Sequence, residues 1–95
     1  MTGDHWFTIR GVRVLWRYAR LRGQAAGWSI TPDERRPDLC RKVLIDSRLR
    51  GRTLLETEIH EALHQIVPDL SEETVTSGAR DLARILYALQ YRRQQ

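Results

Sequence analysis

The 95-residue sequence predicts an α+β fold: a small, mainly antiparallel sheet in the N-terminal half, followed by two antiparallel helices packed on one face of it. Three observations predict this. Residues 6–22, "WFTIRGVRVLWRYARLR", alternate apolar and polar positions around an Arg10-Gly11 pair suited to a tight turn. Residues 42–47, "KVLIDS", are a short apolar run ending at an aspartate, with the length of a strand. Two later stretches, after Thr53 and after Ser71, repeat apolar residues at three-four spacing, the period of an amphipathic helix.

Taken in order, residues 6–22 read as a hairpin, with Val12, Val14, Trp16 and Tyr18 on one strand face and Arg13 and Arg17 on the other beside Leu15 and Ala19. Val14, Arg17, Tyr18 and Leu21 also keep helical spacing, but the β-branched residues and the central glycine favour strands. Residues 23–41 contain Gly23, Gly27, Pro32 and Pro37 and read as loop, leading to the strand at 42–47. The first helix is expected over 54–66, capped by Thr53 with Glu56 three residues on, and carrying Leu55, Ile59, Ala62, Leu63 and Ile66 as its apolar stripe until Val67-Pro68 stops it. A second helix over 72–91 starts at the cap Ser71, places Glu72 and Glu73 in its first turn, and packs Val75, Ala79, Leu82, Leu86 and Leu89. Its end, "RRQQ", puts cations where the helix dipole favours them. The short connection makes the two helices an antiparallel pair.

A chain of this length suffices for one domain around one modest core, and residues 1–95 read as a single domain. Its hydrophobic share of 41% and three tryptophans are incompatible with disorder throughout. The sequence has no apolar run long enough for a secretory signal or a membrane span, which predicts a cytoplasmic address. Cys40 is the single cysteine, which excludes an internal disulfide and a multi-cysteine zinc cluster. Arginine supplies fifteen of the sixteen basic residues behind the formal charge of +4, spread from Arg10 to Arg93 along the chain.

The chemistry concentrates in "ETEIHEALHQIVPDLSEE", residues 56–73. His60 and His64 are four apart, so on a helix their rings leave one face about a turn apart, close enough to share a metal ion. Glu61 lies about 100° round, able to reach a metal-bound water without occupying the coordination shell. This is the H-E-x-x-H pattern, in which zinc acidifies water and the glutamate takes its proton. A third ligand must come from elsewhere, and Asp69, Glu72 and Glu73 lie where a short connection returns the chain to His64. With Val75, Ala79, Leu82 and Leu86 as the packed face, Glu72 falls about 60° from its centre and Glu73 about 160°, so helical phase selects Glu72. Asp69 is the reserve, and His5 is remote in sequence.

"IHEALH", the preceding strand "KVLID" and the acidic start of the following helix together resemble the zincin metallopeptidases, in particular small single-domain gluzincin-like members. The resemblance covers roughly residues 42–91. It implies a minimal zincin-like domain, Zn²⁺ held by His60, His64 and a glutamate placed at Glu72, Glu61 as general base, and a peptide or protein substrate lying along a sheet edge. The segment after His64 lacks the glycine and third histidine of metzincins, and the His64-to-Glu72 spacing is shorter than in large gluzincins. No spacing singles out an oxyanion stabiliser among Tyr18, Tyr87, Tyr91, His5 and the arginines.

The rival reading is a small basic nucleic-acid-binding module with a non-catalytic or absent metal site. Trp6, Trp16 and Trp28 interleave with Arg10, Arg13, Arg17, Arg20 and Arg22, a mixture that suits base stacking and phosphate contact. The plainer expectation is that the tryptophans fill a small core and the arginines cover its outside.

Overall fold

Arg10 and Gly11 both adopt positive φ, 53° and 78°, the requirement of a two-residue type I′ turn whose twist matches that of paired strands. They join β1 (Asp4–Ile9) to β2 (Val12–Ala19) as an antiparallel hairpin. The computed structural model describes residues 3–32, 35–38 and 40–91, and the chain divides into two compact units, Met1–Arg48 and Leu49–Gln95.

In the first unit, β3 (Gly27–Ile30) and β4 (Lys42–Asp46) complete a sheet of order β1-β2-β4-β3 among the described residues. β2 and β4 run parallel, and β3 returns antiparallel on the far side of β4. The α+β class holds, with a mixed sheet. β3 corrects the expectation of loop throughout residues 23–41: "GWSI" is too short to show a period, and it becomes a strand by pairing with Ile45 to Lys42.

Register is fixed by side chains as well as by the turn. Asp4 stands opposite Arg17, whose Nε and Nη2 donate to the two carboxylate oxygens at 2.8 and 2.9 Å, and the Arg17 hydrogen bond lowers the Asp4 pKa. Phe7 meets Trp16 edge to face at 5.7 Å, and His5 stacks on Phe7 and abuts Tyr18. Such an aromatic pair contributes about 0.5–1.5 kcal/mol beyond its buried area. Val14, Trp16, Val43 and Ile45 share one sheet face and are buried, forming the core of this unit. Leu15, on the opposite face, is buried too, while Val12 is exposed. Of the three tryptophans only Trp16 is buried; Trp6 and Trp28 are 50% and 52% exposed, because both sit on edge strands and point away from the Val14 face. The expected tryptophan core is thus reduced to one indole. After β4, Arg48 grips Asp46 through both guanidinium and backbone N–H and also donates to the Leu21 carbonyl.

The second unit is a helical hairpin of α1 (Gly51–Ile66) and α2 (Glu72–Ala88). α1 starts three residues earlier than expected, at 51 instead of 54: Gly51 takes a φ of +61° at its start, Arg50 is the N-cap and its side chain makes no capping hydrogen bond, and Thr53 lies inside, its carbonyl accepting from the Thr57 hydroxyl. The antiparallel arrangement is visible at both ends, with Glu72 beside His60 and His64, and the Tyr87 hydroxyl 3.5 Å from the position a Cβ would take on Gly51.

The buried stripes differ from those the apolar spacing suggests. On α1 they are Leu54, Thr57, Glu61 and Gln65, whereas Ile66 is 44% exposed. On α2 they are Val75, Ala79 and Ala83, with Leu82 and Leu89 exposed. Small residues at 79 and 83 let the backbone of α2 sit close to its surroundings, and the bulkier leucines are displaced to the flank. α2 also ends earlier than 91. Gln90 adopts φ 69°, its N–H bonds the Tyr87 carbonyl and the Tyr91 N–H bonds the Leu86 carbonyl, a Schellman stop after Ala88. The "RRQQ" terminus lies outside the described residues. No helix among the described residues is long and apolar enough to cross a membrane.

Candidate metal centre

His60 and His64 occupy successive turns of α1, and their ring centroids are 4.9 Å apart. Helical spacing alone brings them together. What joins them is Glu72, the first residue of α2. Its position is set by the five-residue link 67–71 and by Ser71, whose hydroxyl accepts from the Thr74 N–H and whose side chain therefore fixes where the helix starts.

The Glu72 carboxylate is divided between the two rings. His60 Nε2 lies 2.9 Å from Oε1, and His64 Nε2 lies 3.0 Å from Oε2. The histidine side chains are 21% and 25% exposed and the glutamate 67%, so the trio lies at the surface with its carboxylate open to water.

The donor set fits a cation. One ligand atom from each of His60, His64 and Glu72 falls within 4.8 Å of the others. In a tetrahedral zinc site with bonds of about 2.0–2.1 Å, ligand atoms are about 3.3–3.4 Å apart. Each histidine nitrogen lies beside a different oxygen of the Glu72 carboxylate, at 2.9 and 3.0 Å, and with one ligand atom from each residue the group lies within 4.8 Å, a spread that side-chain rotation can bring to tetrahedral spacing. A metal ion takes an unprotonated ring nitrogen, so an imidazole that ligates through Nε2 carries its proton on Nδ1. Two neutral imidazoles and one carboxylate are the donor set of catalytic zinc sites that keep a position for water.

Of the three acidic candidates for a third ligand, Glu72 meets both histidines, while Asp69 and Glu73 are exposed and outside the group. Glu61 is 7% exposed and belongs to the buried stripe of α1, the side chain after His60 turning inward as His60 faces Glu72. A buried carboxylate is costly unless engaged, which marks this glutamate as a built feature of the helix. Tyr87 lies at the opposite end of the hairpin, beside Gly51, and Gly51 precedes His60 by nine residues or about 13 Å of helix. It is therefore not beside the trio. His5 lies on β1 within its aromatic row, and Cys40 is an exposed thiol.

The excess positive charge is concentrated in the first unit. Residues 1–48 hold ten basic and five acidic side chains, net +5, and residues 49–95 hold six and seven, net −1. Counting either side of Arg48 would have found it. Comparisons with protein-family models, curated proteins and solved structures give no match to this chain.

Proposed function

We propose that this chain is a zinc-dependent hydrolase, a minimal metallopeptidase of the H-E-x-x-H type, with His60, His64 and Glu72 as metal ligands and Glu61 as general base. The observation that carries the reading is the convergence of both histidine Nε2 atoms on the one carboxylate of Glu72. Bound zinc supplies a Lewis acid that lowers the pKa of coordinated water to about 7. The protein's part is to present three donors with the histidines fixed by one rigid helix, and to keep a carboxylate next to them in sequence and shielded from bulk solvent. Glu61 receives the proton of the attacking water and returns it to the leaving amine, the double role a general base takes in amide hydrolysis. The exposed side of the trio admits an extended polypeptide more readily than a small ligand that needs enclosure. The sequence resemblance to zincins supports the same assignment.

The test is Glu61→Gln. The variant should retain zinc at the parent stoichiometry by elemental analysis while hydrolysis of a peptide library falls by at least about a hundredfold. Zinc without turnover in the parent would remove the hydrolase reading, and equal turnover in parent and variant would remove Glu61 as the base.

A further inference from the structure

The sheet carries a second feature unrelated to the histidine trio. Register places Trp6, Leu15, Lys42 and Ile30 in one row across the four strands and Asp4, Arg17, Leu44 and Trp28 in the next, all on the same face. Trp6 and Trp28 thus stand on opposite edge strands, three strand spacings across and one row along, about 16 Å apart. Each indole is about half exposed, and Trp6 is so even with the Arg13 guanidinium 4.9 Å from its ring centroid. Between them lie Leu44, the buried Leu15, the Asp4–Arg17 ion pair and the cation Lys42, with exposed Arg13 next along β2.

A water-exposed indole at each edge of a sheet does not serve the core, which lies on the Val14 face. Aromatic platforms flanked by arginine and lysine are what single-stranded nucleic acid requires, since every base has a face to stack and every nucleotide a phosphate to neutralise. The separation of about 16 Å spans about five nucleotides at 3.4 Å each. The unit's net charge of +5, against −1 for the helical unit, gives the complementary field. We infer that the face bearing Trp6 and Trp28 binds single-stranded nucleic acid, the two indoles stacking on bases, Arg13 and Lys42 contacting the backbone, and Arg17 exchanging its Asp4 partner for phosphate. This site does not depend on the metal reading.

The experiment is fluorescence anisotropy of a labelled twelve-nucleotide oligothymidylate titrated with the full chain at 50 mM salt. Binding is expected to weaken roughly fifteen- to twentyfold between 50 and 200 mM salt, the slope for about three phosphates on a single strand. Trp6→Ala and Trp28→Ala should each lower affinity roughly five- to hundredfold, and Trp6→Phe should restore most of the loss. Arg13→Glu, at an exposed position, should abolish binding while leaving the circular dichroism spectrum unchanged; it decides the matter if an alanine variant does not fold. No binding by the parent at 50 mM salt, or parent-like binding by Arg13→Glu or by both folded alanine variants, would overturn the inference. So would displacement by polyglutamate at equal charge concentration, which would assign the face to an acidic protein instead.

Discussion

Replacing Glu72 with alanine should leave the metal-free protein almost as stable as before and remove most of the stabilisation that zinc provides. The carboxylate is 67% exposed, so its contacts to His60 and His64 contribute on the order of 0.2–1 kcal/mol without metal, and its place in the first turn of α2 a similar amount. With zinc the contrast grows. At free zinc a hundredfold above the dissociation constant, binding stabilises the parent by about 2.7 kcal/mol. At about 4–8 °C per kcal/mol for a small domain, the melting temperature should rise about 11–22 °C. Losing a ligand costs at least the roughly hundredfold upper figure for losing a partner behind one. At the same free zinc the variant is then near half saturation, which contributes about 0.4 kcal/mol and about 2–3 °C. Differential scanning fluorimetry with buffered zinc measures all four states. An equal zinc-induced shift in parent and Glu72→Ala would refute Glu72 as a ligand, and no shift in the parent would refute the site itself.

Three further outcomes follow from the backbone and from charge. Gly78 lies inside α2 with no heavy atom within 4 Å of where a Cβ would stand, so Gly78→Ala should raise stability by about 1 kcal/mol, read as a higher urea midpoint. Gln90 holds a left-handed φ of 69° that glycine adopts without penalty, so Gln90→Gly should gain up to about 1 kcal/mol, and Gln90→Val should lose stability in the same assay. Asp46 has its carboxyl held down to about 2 by hydrogen bonds from the Arg48 guanidinium and backbone N–H. Because the folded value lies below the unfolded one, Asp46 contributes stability above about pH 4 that is lost as the pH falls toward about 2. Asp46→Asn should flatten that part of the acid-unfolding profile; an unchanged profile would show that the Arg48 contact carries no weight.

What the sequence determined by itself was local. The Arg10-Gly11 turn, the Ser71 cap and the four-residue spacing of His60 and His64 are written within a few residues, because turn dihedrals, cap hydrogen bonds and helical phase act over that range. Phase within α2 even distinguished Glu72 from Glu73. The tertiary structure decided what depends on pairing between distant segments. β3 exists because β4 offers it an edge, and the parallel match of β2 to β4 follows no local rule. The common face of Trp6 and Trp28, twenty-two residues apart, is set by the registers of three successive strand pairs. Likewise the burial of Thr57, Glu61 and Gln65 ahead of Ile66 reflects which side of α1 is covered by distant parts of the chain, and apolar spacing within the helix could not give that.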